Sequence, residues 1–126
     1  MTQLWRLVRT GIFNAYENMA IDHVLLEALH KETAANTIRF YRWNPSAVSI
    51  GRFQHLDYEV DVDACHTLNI DIVRRISSGG AVFHDEELTY SIVIPESHSQ
   101  IPKNIMESYG RICEAIIKGL KCPITN

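Results

Sequence analysis

Two arginines, Arg74 and Arg75, stand directly before a Ser77-Ser78-Gly79-Gly80 turn. The turn runs into an apolar segment, Ala81 to Phe83, that ends on His84-Asp85. Paired glycines let a backbone approach a ligand closely and present consecutive N–H groups to an anion. A guanidinium beside such a turn grips phosphate or carboxylate with directed, charge-assisted hydrogen bonds. The stretch therefore reads as an anion cradle, with a plain hairpin loop using glycine for φ > 0 as the competing reading. Consecutive strand residues point to opposite faces, so one arginine can reach a bound anion while the other pairs elsewhere. The same alternation makes His84-Asp85 a poor general-base dyad, and His84 taken alone reads as a structural histidine. Neither Gly-Lys-Ser/Thr nor G-x-G-x-x-G occurs here, which removes the common nucleotide-binding loops. Arg52 and Gln54, just past Ile50-Gly51, lie at a strand end where binding residues often gather.

The elements that must hold this turn are legible from periodicity. Leu4 to Arg9 reads as a strand, and a helix opens at Asn14, with Glu17 in the capping-box place and Met19, Ile21, Val24, Leu25, Ala28 and Leu29 as its apolar positions. Thr37–Trp43 and Ala47–Gly51 are β-rich runs around Asn44-Pro45-Ser46 and are expected to form a hairpin. Val60, Ala64 and Leu68 mark one short helix within Asp57–Leu68, followed by a strand from Ile70 to Arg74. Ala81–His84 and Leu88–Ile94 are two further strands, the second with Leu88, Tyr90, Ile92 and Ile94 on one face. Beyond a loop from Pro95 to Pro102, Ile105, Tyr109, Ile112, Ile116 and Leu120 stripe a final helix that begins near Pro102 and ends before Pro123. Helices mixed with short strands predict an α/β sheet domain.

Composition narrows the class of partner. The chain has 126 residues, 46% hydrophobic and 21% charged, with a net charge of -3, so an anion site must be local and no broad nucleic-acid surface is expected. Cys65, Cys113 and Cys122 form no C-x-x-C pair, and none has a neighbour that would make it a nucleophile. Cys65 and Cys113 are expected to fill core positions and Cys122 to lie exposed. The six histidines lack metal spacing, so no metal site is expected. Charges interrupt every apolar run, and no leader pattern opens the chain, which together predict a cytoplasmic protein with no membrane association.

Taken in order, WRLVRTG, FNAYENMAIDHVLLEAL, IRFYRWNPSAVSIGRFQ and RRISSGGAVFHDEELTYSIVIP resemble the lipoate-protein ligase A and octanoyltransferase family, within the biotin/lipoate protein ligase superfamily. The resemblance runs from Trp5 to about Leu120 and is most specific over Arg74 to Asp85. It implies an α/β (α+β) fold, a mixed sheet with flanking helices, similar to biotin protein ligases and class II aminoacyl-tRNA synthetases. It also implies activation of lipoate by ATP, with Mg2+, to lipoyl-AMP, and transfer to a lysine of a lipoyl-domain acceptor protein. The octanoyltransferase branch instead moves octanoate from octanoyl-acyl carrier protein, and a non-catalytic adenylate-binding module is a third reading. By the same resemblance Arg75, Gly79, Gly80, Ala81, Val82 and Phe83 contact ATP or the adenylate, while Arg74, Ser77 and His84 contact the acyl substrate. Backbone donors and a guanidinium at an α-phosphate suit adenylate chemistry.

The loop departs from the family pattern at Ser78, where serine replaces the first glycine and takes φ > 0 less readily. Gly80 and Gly51-Arg52-Phe53-Gln54 look ligase-like, whereas Arg42-Trp43-Asn44-Pro45 and Asp85 to Ser91 look closer to the transferases; the balance favours the ligase. The family's catalytic lysine, in a Lys-x-x-Gly-Ser segment, and the transferase cysteine both lie downstream of the last helix, and Lys118 and Lys121 do not match. Residues 1–126 are therefore expected to be the N-terminal part of the catalytic domain, its catalytic residue supplied by a downstream segment or a second chain. A strand left without a sheet neighbour, such as Leu88–Ile94, would favour association of the isolated chain.

Overall fold

A computed structural model of the chain describes residues 4–123. Six strands and four helices follow in the order β1 (Trp5–Phe13), α1 (Ala15–His30), β2 (Asn36–Trp43), β3 (Ala47–Ile50), α2 (Leu56–Glu59), α3 (Val62–Thr67), β4 (Asp71–Arg74), β5 (Val82–His84), β6 (Thr89–Val93) and α4 (Ile105–Lys121). They fall into two compact units, residues 1–94 and 95–126. The first holds two three-stranded sheets, β1-β2-β6 and β4-β3-β5, each with one parallel and one antiparallel pair.

α1 starts where the sequence places it. The Asn14 Oδ1 accepts from the Glu17 amide at 2.9 Å and the Glu17 carboxylate accepts from the Asn14 amide at 3.2 Å, closing the capping box. Its buried face is not the apolar one. Ala15, Asn18 and Asp22 are buried, while Val24 is 62% exposed. The partner of these polar positions is Arg39 of β2, wholly buried. Its guanidinium donates to Asp22 Oδ1 at 2.8 Å, Asn18 Oδ1 at 2.6 Å and Thr10 Oγ1 at 2.9 Å. Tyr41 Oη and Ser91 Oγ also donate to Asp22, so one carboxylate ties α1 to β2 and β6. A charge taken out of water persists only when its partners are satisfied this fully.

The same network sets the faces of β6. Thr89, Ser91 and Val93 share the α1-facing side with Tyr41, Arg39 and Thr37, their partners in register. Leu88 and Tyr90, expected on one face with Ile92 and Ile94, are exposed, because the buried side of this sheet is organised around ionic and hydroxyl groups. β1 runs four residues beyond the expected Arg9, through a register shift at Gly11, whose φ of 83° suits glycine.

β2 and β3 do not form a hairpin. The Asn44 amide donates to the Phe13 carbonyl, and the Asp71 amide donates to the Ser46 carbonyl, so the turn hands the chain from one sheet to the other. The apolar core lies at that junction, with Ala15, Tyr41, Trp43 and Ala47 buried and Met19 and Val73 packed on them. The helix expected over Asp57–Leu68 divides into α2 and α3 at an extended Val60-Asp61, since Asp61 caps α3 by accepting from the Ala64 amide. Leu68 is exposed, and Cys65 is the buried residue of α3.

In the second unit α4 begins at an Asn104 cap, later than Pro102. Ile105, Tyr109, Ile116 and Leu120 of its apolar stripe are exposed, and so is Cys113, which therefore fills no core position. All three cysteines are free. Among the described residues no helix is long and apolar enough to cross a membrane.

Candidate functional site

β4 and β5 flank β3, and the loop from Arg75 to Ala81 joins them across the end of that sheet. It is seated by backbone contact. The Arg52 amide donates to the Ser77 carbonyl at 2.9 Å, and a Cβ on Gly51 would collide with the Gly79 carbonyl oxygen. Glycine is thus required at Gly51 by proximity and at Gly79 by its φ of 112°. Ser78 is spared positive φ, since Glu32 and Asn69 are the non-glycine residues that have it among those described. Gly80 has open space around its Cα.

The two arginines diverge as their adjacency requires. Arg74 Nη1 donates to the carbonyls of Gly51, Arg52 and Gln54 at 3.0, 3.2 and 2.7 Å, bracing the loop after β3. Arg75 Nη1 donates to the carbonyl and the hydroxyl of Ser49, both at 2.8 Å, and its Nη2 to the Gly80 carbonyl at 2.8 Å. Both guanidiniums hold loop backbone. The Gln54 side chain closes its own turn by accepting from the Gly51 amide at 2.8 Å.

Register divides the remaining predicted residues between two faces. Val82 and His84 lie beside Ser49 and Ala47 on the core-facing side, and Phe83 lies beside Val48 on the other. The segment Ser77 to Phe83 is exposed throughout, Val82 at 43% and Phe83 at 56%, which leaves apolar surface on each face of β5 next to a glycine turn.

His84 is buried, and its ring stacks on Trp43 with centroids 4.0 Å apart. Its Nε2 meets Ser49 Oγ at 2.7 Å and its Nδ1 meets Glu87 Oε1 at 2.6 Å. Thr89 Oγ1 also donates to Glu87 Oε1 at 2.6 Å and accepts from Trp43 Nε1 at 2.7 Å. Asp85 is engaged elsewhere, with Ser46 at 2.6 Å. Ser49, Glu87, Thr89 and Trp43 were not legible as neighbours of the site. The spacing His84-x-x-Glu87 across a turn is the one local signal for them, whereas Ser49 arrives through strand pairing.

The environment shifts three groups. Burial would raise the Glu87 carboxyl, but the hydrogen bonds from Thr89 and His84 and the electrostatic attraction of the His84 ring outweigh it and hold the group below its ordinary value. Burial lowers the Arg75 guanidinium, with Tyr41 opposing. Burial and then Asp22 push the Tyr41 phenol far above its ordinary range.

An open depression of about 400 Å³ is lined by Arg9, Gly11, Phe40, Tyr41, Arg42 and Leu88 and includes no residue of the Arg75–Ala81 loop. Among the described residues no cluster of three or more His, Cys, Asp or Glu side chains could hold a metal ion.

The profile of the lipoyl protein ligase A/B catalytic domain matches residues 14–122, which takes in the whole β3-β4-β5 site. The chain belongs to that family. It is 47% identical over 116 residues to a protein named octanoyltransferase LipM from Clostridioides difficile, covering 92% of this chain and 43% of the relative. A bi-partite lipoate protein ligase from Thermoplasma acidophilum, described with its E2 lipoyl domain, superposes with a TM-score of 0.72 at 28% identity over 95% of this chain and 46% of that one. A lipoate-protein ligase A bound with ATP gives 0.69 at 29% identity over 96% and 47%. The α/β fold of the lipoate and biotin ligases, expected from the resemblance, is therefore the fold observed, and the chain spans less than half the length of the relatives it matches.

Proposed function

We propose that this chain is the acyl-receiving part of an octanoyltransferase, serving transfer of an octanoyl group from a carrier-protein thioester to the ε-amine of a lipoyl-domain lysine. The observation that carries it is the 47% identity to an octanoyltransferase along 92% of the chain, against 28–29% to the ligase structures. This departs from the ATP-dependent ligase favoured by the loop residues alone, because Gly80 and Gly51-Arg52-Phe53-Gln54 are a small part of the matched length.

The geometry supports the same reading. The exposed Phe83 offers apolar surface to an eight-carbon chain, and the adjoining Gly79-Gly80 turn can direct N–H groups at the thioester oxygen, where charge grows during attack. The downstream cysteine would take the octanoyl group from the carrier thioester, releasing the carrier thiol, and the lysine amine would then attack that acyl-cysteine, forming the amide as the carbon–sulfur bond breaks and the cysteine leaves with the amine proton.

A second reading, ATP-dependent ligation of free lipoate, is favoured by the likeness to a ligase bound with ATP. In that case the turn would face the α-phosphate, and Mg2+ would enter with the nucleotide. Mass spectrometry of a lipoyl domain separates the two, using the chain supplemented with the C-terminal part of an octanoyltransferase relative. Octanoylation from the carrier thioester without ATP is expected. Acylation only with free acid and ATP would replace this reading by the second.

A further inference from the structure

The hydrogen bonds around His84 have a direction that donor chemistry fixes. Arginine only donates, so Ser49 Oγ accepts from Arg75 Nη1 at 2.8 Å, and its own proton is free to go to His84 Nε2 at 2.7 Å. A carboxylate only accepts, so His84 Nδ1 carries the ring proton and donates it to Glu87 Oε1 at 2.6 Å, which in the neutral ring leaves Nε2 as the acceptor for Ser49. Indole N–H only donates as well, so Thr89 accepts from Trp43 and passes its proton to the same oxygen at 2.6 Å. Two one-way chains converge on Glu87. At the far end of the longer one, Arg75 grips the Gly80 carbonyl at 2.8 Å.

Neither Ser49, wholly buried, nor His84, also buried, is placed to meet a substrate, so a nucleophilic role for this Ser-His-Glu set is excluded by access. What the set can do is orient. The Arg75 head group would otherwise have only carbonyls to choose among; the Ser49 hydroxyl, aimed by His84 and Glu87, selects one placement. That placement puts the Gly80 carbonyl under Nη2 and so sets which way the neighbouring turn amides face.

We infer that Ser49, His84 and Glu87 are positioning residues for Arg75, a buried relay that fixes the guanidinium and through it the shape of the Ser77–Gly80 turn. The functional consequence rests on the acyl-receiving role proposed above, whereas the relay is testable without substrate.

Two readouts on the unliganded chain test it. The first is the His84 tautomer by 15N NMR, which a merely space-filling histidine would not hold. The second is hydrogen exchange of the Arg52 amide, bonded to the Ser77 carbonyl and so a reporter of turn seating. Wild type should show the Nδ1–H tautomer. Glu87→Ala should mix the tautomers and speed Arg52 exchange about fivefold, the effect of losing a net hydrogen bond, while Glu87→Gln, which keeps an acceptor oxygen, should preserve both. Ser49→Ala should speed Arg52 exchange similarly, and adding Glu87→Ala to it should change nothing more, since the relay runs through Ser49. Asp85→Asn, outside the relay, should leave both readouts at wild type. An Nε2–H tautomer in wild type, unchanged exchange in Ser49→Ala, or additive effects in the double variant would overturn the inference. A failed acyl-transfer assay with these readouts intact would overturn only the function.

Discussion

Gly51 and Gly79 are in direct backbone apposition: the space a methyl group would need on Gly51 is filled by the Gly79 carbonyl oxygen. The end of β3 and the loop from Arg75 to Ala81 are thus one packed unit. Gly51→Ala should push the loop off the sheet at a cost of about 1–3 kcal/mol, as for other overpacked sites. Gly80→Ala, with open space and no positive φ, should stay within about 0.5 kcal/mol of wild type. Urea unfolding midpoints check both, and a Gly51→Ala variant as stable as wild type would refute the apposition.

The Arg39–Asp22 pair predicts a larger effect far from the loop. Asp22→Ala strands a fully buried guanidinium and removes the acceptor for Tyr41 and Ser91, which should cost about 3–5 kcal/mol. Thermal unfolding measures it; a loss below about 1 kcal/mol would mean water reaches Arg39.

Much of the architecture could be read in the sequence because it depends on local rules: the Asn14–Glu17 capping box, the strand runs, and the glycine turn after Arg74-Arg75. What could not be read depends on pairing at a distance. Asn18, Asp22 and Ser91 look like surface positions until Arg39 is placed among them, and that polar core turned Leu88 and Tyr90 outward. The hairpin expected around Asn44-Pro45-Ser46 failed for a related reason, since Phe13 and Asp71, not the turn itself, decide where each strand goes. At the site, Arg75, the loop and His84 were legible as a linear motif. Ser49, which joins them, was not, because only β3-β5 register brings it there.

Acid should loosen the site once Glu87 takes up a proton. Glu87 is held below its ordinary value of 4.5, so its charged form favours the folded state above that pH. Its contribution is lost as the pH falls through the lower folded value. Amide shifts of Thr89 and His84 should therefore titrate together below pH 4.5, and Glu87→Gln should abolish that transition. A shared transition above pH 4.5 would contradict the sign of the shift.

Strand β6 pairs with β2 on one side, and no other described strand lies along its second edge. With Leu88 and Tyr90 exposed beside it, the chain should associate as its concentration rises. Tyr90→Lys places a charge at this edge and should shift light-scattering masses toward the monomer. A wild-type chain that stays monomeric at every concentration would count against an available edge.

The central claim is that the Gly79-Gly80 turn and the Phe83 face of β5 receive the acyl thioester. The direct measurement is an NMR titration of the chain with octanoyl-pantetheine, following backbone amides. Shifts centred on Gly79, Gly80, Val82 and Phe83, weakened in the loosened Ser49→Ala variant, are the predicted result. Shifts confined to Arg9, Phe40 and Arg42 around the open depression, with the loop silent, would contradict it.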